Sequence, residues 1–448
     1  MTDQDSNQPV KLKRTLGMGS LLLYGIAMMF PMAPVAVFGE VSSASMGHMA
    51  LCYFLAVIPM SFTAYSYGQM AGAFPIAGSA YSYASHAINP FVGFLSGWGI
   101  FLSYALFPIL NYIIIGIFMN ALFGLAPWIS ILASIFIISI VNLAGRRSLS
   151  IINNFLVCLM FLVVFYFIVT AIISLGNGVG LGGFTMKPFY NPDTFNFSAI
   201  LFGTSIACFS FMGFDAMTTL SEEVKEPQKL LPKATVIVCF FMGGLFIVQA
   251  YFAQSVFPDF TAFVNNDEAF FQAAEAAGGG TLLTFVSIAM VAGAFANAID
   301  SQASVARIMY SMGRDEMLPK KIFAYLHPKT QVPVFSILLL AVIAIVVVLI
   351  IQIELGLVII TINFGALVAF MLVNISVISY FYIREKQRNG MNFVRYLIMP
   401  TIGFITCFVL FLNLAATAKM IGFIWLAIGF VVMCIVTKGF KKKPVLEI

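Results

Sequence analysis

Two carboxylates stand inside long apolar segments of the sequence, Asp215 and Asp300. An ionised carboxylate in apolar surroundings is costly unless a cation, a proton or hydrogen-bond donors compensate its charge. Asp215 could therefore hold an ammonium group or a proton, or it could be tied to nearby backbone amides. Asp300 has oxygen-bearing neighbours at helical spacing, namely Asn297, Ser301 and Ser304. Such oxygens suit a proton or a sodium ion, and the alternative is a polar patch that is bonded only to itself.

The segments that must position these residues are predicted to be membrane helices. The chain has 448 residues, of which 61% are hydrophobic and 9% are charged, against about 25% charged in a typical soluble domain. These values exclude a soluble enzyme, a disulfide-stabilised secreted protein and a disordered protein. The composition predicts an all-α membrane protein that is surrounded mostly by lipid.

Twelve transmembrane helices, called spans 1 to 12, fit the charge-free stretches, each close to the roughly 20 residues that cross a bilayer. The predicted spans are 16–39, 49–72, 91–120, 127–144, 151–175, 198–220, 233–256, 281–311, 333–352, 355–383, 393–415 and 418–437. If both termini are cytoplasmic, only Lys187 and Lys419 of the 23 Lys and Arg residues face outwards. Basic residues concentrate on the cytoplasmic side, so this distribution predicts a multi-pass protein of the inner (cytoplasmic) membrane with both termini in the cytoplasm.

Spans 1 and 6 carry interruptions near mid-membrane. Span 1 contains Pro31 and Pro34, and span 6 contains Gly213 beside Asp215. Proline removes a backbone donor and glycine lowers helix propensity, and the freed backbone groups are tolerated only against protein or a cavity. Paired breaks in corresponding helices are typical of a transport site. Because the broken helices are an odd number of spans apart, their halves have opposite topology, which predicts a five-plus-five inverted repeat followed by spans 11 and 12.

This repeat predicts how the chain is divided. The predicted parts are a cytoplasmic tail (1–14), a first repeat (15–175), an extracellular loop (176–197), a second repeat (198–383), spans 11 and 12 (384–437) and a second tail (438–448). The sequence has no nucleotide-binding loop of the G-x-x-x-x-G-K type, so transport would be driven by an ion gradient and not by ATP.

Several motifs resemble those of the amino acid–polyamine–organocation (APC) superfamily of permeases. They are Phe74–Tyr83 after span 2, Phe211–Asp215 with Ser221–Pro227 at span 6, and Met312–Asp315 with Leu318–Pro319 after span 8. The segments Ile362–Phe370, Val373–Asn374, Ile383–Lys386 and Tyr325–Lys329 are similar to the bacterial putrescine-importer branch. The resemblance implies a LeuT-like fold and a proton-coupled secondary active importer, working by alternating access, of a small organic amine, above all putrescine or another polyamine. In that branch an acidic residue precedes a tyrosine of span 3, whereas here Ser103 precedes Tyr104.

The break positions and the resemblance together assign candidate site residues. The substrate-binding candidates are Met28, Met29, Ser103, Tyr104, Ser210, Phe211, Gly213 and Asp215. The coupling-ion candidates are Asn297, Asp300, Ser301 and Ser304, with a proton favoured over sodium, and the gating candidates are Glu222, Glu223 and Arg314. No cofactor and no metal site are expected. The expected partners are a small cationic amine and the lipid bilayer and not nucleic acid, and the oligomeric state is not predicted.

Other functions stay open at this stage. Amino acid carriers of the superfamily have Gly-x-Gly at the first break, where backbone amides hold the substrate carboxylate. This chain has Met29-Phe30-Pro31 there, which favours an amine without an α-carboxylate. The alternative is an amino acid permease or an amino acid/amine exchanger of the same fold. A remote alternative is an intramembrane aspartyl protease, in which Asp215 and Asp300 would share a proton, but its expected motifs are absent and no enzyme is predicted.

Overall fold

The computed structural model describes residues 14–76, 79–145, 149–314, 316, 318–328, 330–351 and 354–439. Apart from one isolated bridge between Leu16 and Val224, the regular structure in these ranges is helical. Eleven helices of the described residues are long and apolar enough to cross a membrane. The remaining predicted span, span 9, contains the shorter apolar helix Val334–Val348. Most of both predicted tails (1–13 and 440–448) lies outside the described residues.

The observed bounds follow the predicted spans closely, except that span 7 begins at Pro227 and not at residue 233. Spans 2, 3, 4, 5, 7 and 12 are the helices Met49–Ala73, Pro90–Phe123, Pro127–Ala144, Leu149–Gly176, Pro227–Val256 and Ala416–Val436. Spans 9, 10 and 11 contain π-helical stretches and run as Val334–Ile345 with Val346–Ile351, Leu355–Val377 with Ile378–Arg384, and Met391–Phe393 with Val394–Ile398 and Met399–Leu412. Charge-free apolar stretches therefore locate these helices well, because the hydrocarbon thickness fixes their length.

Both predicted interruptions are present. Span 1 comprises Met18–Met28, Ala33–Ala36 and Phe38–Ala44, and span 6 comprises Phe197–Ala207 with the 3₁₀ turns Cys208–Phe211 and Asp215–Leu220. The break in span 1 coincides with Pro31, and the break in span 6 coincides with Gly213. The proline and the glycine that predict the interruptions therefore lie where the helices end.

Three helical features differ from the prediction. Span 8 begins at Ala269 and not at residue 281, and it turns at Gly279, whose φ is 67°. The exposed Glu275 lies in the helical segment that precedes this turn. The helix Ser79–Ala87 lies in the predicted connection after span 2, and the short helix Lys320–Phe323 lies after span 8. These two helices have nine and four residues, so they are too short to cross a membrane, and a search for charge-free stretches of span length does not find them.

Span 3 is the most deeply enclosed of these helices, and it packs on span 12 through a reciprocal contact. Nε1 of Trp98 donates to the carbonyl of Trp425, and Nε1 of Trp425 donates to the carbonyl of Trp98, each over 2.8 Å. The two indole rings are stacked with their centroids 4.8 Å apart. Spans 11 and 12 are otherwise mostly exposed and apolar, as expected for helices that face lipid.

Candidate functional site

The breaks of spans 1 and 6 touch each other. Gly213 has a φ of +114°, and a Cβ atom there would lie 2.5 Å from both the carbonyl carbon and the oxygen of Met28. A side chain is therefore excluded by the backbone conformation and by the close approach of the other chain segment. On the span 1 side, Phe30 has a φ of 54°, which is uncommon for a residue with a side chain. Two irregular backbone segments thus face each other inside the helix bundle.

Amide side chains from three other spans donate to backbone carbonyl groups at the breaks. Nδ2 of Asn297 donates to the Met28 carbonyl over 3.1 Å, and Nε2 of Gln249 donates to the Pro31 carbonyl over 2.9 Å. Nδ2 of Asn363 donates to the carbonyls near the end of the first half of span 6, 2.8 Å from Ser205 and 3.3 Å from Ile206. All three amides are buried. Spans 8, 7 and 10 therefore supply the partners that broken helices need in a membrane.

Asp215 lies directly after the break of span 6 and is completely buried. Its Oδ2 accepts a hydrogen bond of 2.5 Å from Oη of Tyr104 in span 3. Its Oδ1 accepts a hydrogen bond of 3.2 Å from the backbone N–H of Gly213. The carboxylate is thus tied to a local amide, as one of the two hypotheses for Asp215 required, but a side chain from another helix also holds it. Among the described residues, no basic side chain forms an ion pair with Asp215.

The other predicted substrate-binding residues are also buried. Oγ of Ser210 lies 2.7 Å from Oη of Tyr53, and the ring of Phe211 packs edge-on against Phe246. Met28 and Met29 are buried at the break of span 1. Oγ of Ser103 donates to the carbonyl of Ile362 over 2.6 Å, so this hydroxyl joins spans 3 and 10.

A small cavity lies beside the touching breaks. Its volume is about 10 Å³, which is enough for a single water molecule. Its lining residues are Met29, Phe30, Ala33, Ala36, Phe107, Leu110, Asn111, Ile114, Phe209, Met212 and Asn297. The polar groups of this lining belong to Asn111 and Asn297, and the aromatic groups are three phenylalanines. This cavity is therefore too small for an organic molecule, and side chains around it must move before one can enter.

The predicted coupling-ion residues share one stretch of span 8. Oγ of Ser301 donates to the Ala298 carbonyl over 3.2 Å, and Oγ of Ser304 donates to the Asp300 carbonyl over 2.8 Å. Asp300 is half-buried. Both hydroxyls keep their lone pairs available to an ion, so the assignment of these residues stays a prediction.

The three predicted gating residues come together in a larger pocket at the end of span 6. This pocket has a volume of about 360 Å³, and Glu222, Glu223 and Arg314 line it together with Arg307 and Tyr310. It lies at the face that the charge distribution assigns to the cytoplasm. Acidic residues that follow span 6 and basic residues of span 8 thus line one pocket, and their gating role stays a prediction.

Sequence reasoning missed Gln249, Asn363 and Asn111. Each is a neutral amide in an otherwise apolar span, and each now binds a backbone carbonyl or another amide near the breaks. Isolated Asn and Gln residues inside charge-free stretches would have been the signal, because a buried amide must find partners.

Comparison with known proteins identifies the family. The family model described as "Amino acid permease" matches residues 18–441. This chain belongs to the amino acid permease family. Permeases are transporters, so the chain is a transporter and not an enzyme, and the aspartyl protease alternative is set aside. The predicted membership of the APC superfamily is confirmed.

Three relatives show how the similarity is distributed. The chain is 36% identical to the low-affinity putrescine importer PlaP of Escherichia coli K12 over 442 residues, which cover 96% of this chain and 95% of the relative. It is 39% identical over 195 residues to a probable low-affinity putrescine importer PlaP of Klebsiella pneumoniae, covering 42% of this chain and 94% of the relative. The branched-chain amino acid permease BcaP of Bacillus subtilis is 24% identical over 456 residues, covering 96% of this chain and 94% of the relative.

Proposed function

We propose that this permease is a secondary active importer of a small diamine of the putrescine class. The substrate enters the region between the breaks of spans 1 and 6, one of its ammonium groups binds Asp215, and a proton gradient drives uptake. The protein lies in a bacterial inner membrane with both termini in the cytoplasm. Spans 1–5 and 6–10 act as the two inverted halves of an alternating-access mechanism.

The observation that carries this proposal is the buried carboxylate of Asp215, whose hydrogen-bond donors are all neutral. Tyr104 and the amide of Gly213 supply hydrogen bonds but no positive charge. A charge inside the membrane is expensive until an opposite charge joins it. A transported ammonium supplies that charge and is itself desolvated in the same step, so each partner offsets the cost of burying the other.

The first break supports an amine over an α-amino acid. The N–H of Met29 donates to the Gly25 carbonyl over 2.9 Å, and the N–H of Phe30 donates to the Ala27 carbonyl over 3.2 Å. Pro31 has no N–H. The amides that could receive a substrate carboxylate at residues 29–31 are therefore occupied or absent.

The comparisons support the same substrate class. The relative with 36% identity over nearly the whole chain is named a putrescine importer, and its identity exceeds the 24% shared with the branched-chain amino acid permease. A carrier or exchanger of amino acids is the competing function, because the family as a whole carries the name amino acid permease.

Counterflow in proteoliposomes tests the proposal. Vesicles that contain purified protein are loaded with unlabelled putrescine, cadaverine, leucine or arginine, and uptake of the labelled counterpart is measured. We expect counterflow with the diamines and only background uptake with the amino acids. Counterflow of a neutral amino acid without any diamine signal would replace the proposal by the amino acid carrier.

A further inference from the structure

His48, at the start of span 2, binds a backbone group on each side of its ring. The imidazole is completely buried, and its Nδ1 lies 2.9 Å from the carbonyl oxygen of Ser45, which directly follows span 1. The backbone N–H of Asn191, in the predicted extracellular loop 176–197, donates to Nε2 over 3.1 Å. The ring therefore ties the junction of spans 1 and 2 to a loop that lies 143 positions further along the chain.

These two partners fix the protonation state of the ring. A carbonyl oxygen can only accept a hydrogen bond, and a backbone N–H can only donate one. Nδ1 must therefore carry the proton and donate to Ser45, while Nε2 presents its lone pair to Asn191. An imidazolium has a proton on both nitrogens. It would point an N–H of its own at the N–H of Asn191, and the bond to the loop would be lost.

The bond to the loop lies where the outer parts of spans 1, 2 and 6 pack together. In span 6, a Cβ atom at Gly203 would lie 2.8 Å from Cβ of Ser45 and 3.0 Å from Sγ of Cys52 in span 2. The ring of Phe195, just before span 6, packs edge-on against the imidazole with the centroids 5.7 Å apart. The loop that His48 holds thus leads directly into the half of span 6 that ends at its break.

A cavity next to this bond gives water access to its surroundings. The cavity has a volume of about 300 Å³, which holds several water molecules. Its lining includes Gly47, which precedes His48, and Asn191 itself. It lies on the face that the charge distribution assigns to the outside. Water in this cavity can therefore bring a proton from the outside to the bond between the ring and the loop.

Few charged or titratable groups surround the ring, and none of them bonds to it in the described ranges. The first half of span 6, Phe197–Ala207, contains no titratable residue. On the outer helix of span 1, Glu40 accepts a hydrogen bond from Asn266 instead. Histidine is the side chain that ordinarily changes its charge between pH 5 and 8, so the ring itself is the group that can sense pH here. The remaining groups are Lys187, Tyr190 and Asp193 of the loop, Cys52 of span 2 and Asp259 after span 7.

From this geometry we propose that His48 is a pH-sensitive latch, which holds the loop 176–197 on spans 1 and 2 when the ring is neutral and releases it when the ring is protonated. The attachment is complete at neutral pH and is lost as the pH falls, because only the neutral ring can accept from Asn191. Acidification of the outside therefore loosens the attachment of the outer half of span 6. The latch acts through helix packing, so it does not depend on whether the substrate is a diamine or an amino acid.

Hydrogen–deuterium exchange of the purified full-length protein tests the latch. Exchange of the loop peptide that contains Asn191 is measured at about pH 7.5 and about pH 5.5, on either side of the range in which histidine titrates. Each rate is divided by the intrinsic rate at that pH. We expect protection of this peptide to fall roughly three- to tenfold at the lower pH, as for the loss of one hydrogen bond. The outer turn 124–126 between spans 3 and 4 has no titratable residue and should show no change.

Two variants assign the pH response to the ring. In His48→Gln the amide oxygen can accept from Asn191 but takes up no proton in this range, so protection of the loop should be the same at both pH values. His86→Gln is the matched control. Nδ1 of His86 also lies against a carbonyl, that of Ser82 over 2.8 Å, but its Nε2 has no partner among the described residues. This control should keep the pH response of the parent protein.

The parent protein decides the matter even if His48→Gln does not fold. Equal protection of its loop at both pH values would overturn the latch, and so would an equal loss in the turn 124–126, which would indicate a general loosening of the outer face. A pH response that persists in His48→Gln, or that disappears in His86→Gln, would also contradict the assignment to His48.

Discussion

Oη of Tyr104 donates to Oδ2 of Asp215 over 2.5 Å, which joins the centre of span 3 to the break of span 6. Hydrogen bonds from a hydroxyl to a carboxylate are about 2.5–2.7 Å long when they are charge-assisted, and they are stronger than neutral ones. This bond stabilises the carboxylate without neutralising its charge. A substrate ammonium must therefore share the carboxylate with Tyr104 or displace its hydroxyl, and either event couples substrate binding to the position of span 3.

Replacing Tyr104 by Phe removes this donor and should destabilise the empty transporter more than the loaded one. A buried acceptor that loses its partner costs about 1–3 kcal/mol. Thermal unfolding of the purified protein should therefore show a lower midpoint for Tyr104→Phe without ligand, and saturating putrescine should recover much of the difference. Tyr190→Phe, in an exposed loop, is the control. An equal loss of stability with and without putrescine would mean that Tyr104 serves packing alone.

Gly213→Ala should slow transport strongly without preventing membrane insertion. The new Cβ would meet the carbonyl of Met28 at 2.5 Å, and the φ of +114° is unfavourable for alanine. Strained backbone of this kind costs on the order of 1–3 kcal/mol, so the initial uptake rate should fall roughly tenfold or more. Gly244→Ala provides the control, since a Cβ at that position in span 7 meets no atom within 4 Å. Normal uptake by Gly213→Ala would show that the two breaks need not touch during the cycle.

Asp300→Asn should abolish concentrative uptake of putrescine and leave its exchange intact. If Asp300 carries the coupling proton, the amide variant cannot bind and release it, although it keeps a similar shape. Concentrative uptake of putrescine driven by an imposed pH gradient should be lost, whereas counterflow without a gradient should persist. Ser301→Ala, which removes a neighbouring hydroxyl bonded to its own helix, is a milder comparison. Undiminished accumulation in Asp300→Asn, or accumulation that strictly requires sodium, would remove this proposal.

Much of the fold could be predicted because lipid imposes simple limits on the sequence. Span 4 is predicted at residues 127–144 and observed as Pro127–Ala144, because Gly124 and Pro127 interrupt the apolar sequence at one end and the charge-free stretch ends at Gly145. The helix Ser79–Ala87 could not be recognised, because its serines and tyrosines look like a polar connection. The early start of span 8 does not follow from the charge-free stretches, because the charged Glu275 lies inside the helix and the actual interruption is the turn at Gly279.

The candidate site was only partly predictable. Asp215 could be identified because a carboxylate is rare in a membrane segment. Gly213 predicts the break beside it. The side chains that donate to the backbone carbonyls at the breaks could not be predicted in this way. Gln249 reaches Pro31 across 218 positions of the sequence, and Asn363 reaches Ser205 across 158. Neutral amides do not interrupt a charge-free stretch, and only the packing of the spans decides which carbonyl each one meets.

Equilibrium binding of putrescine to Asp215→Asn tests the central claim most directly. The amide keeps the shape of the carboxylate, its oxygen can accept from the N–H of Gly213, and its NH2 group can donate to Oη of Tyr104. The variant should therefore fold, and Asp193→Asn in the exposed loop before span 6 is its control. We expect the affinity to fall by at least an order of magnitude, in line with about 1.5–3 kcal/mol for a hydrogen bond to a charged group. Asp215→Glu should cause a smaller loss. Parent-like affinity for putrescine in Asp215→Asn would contradict the assignment of Asp215 to a substrate ammonium, as would tight binding of a neutral amino acid to the parent protein.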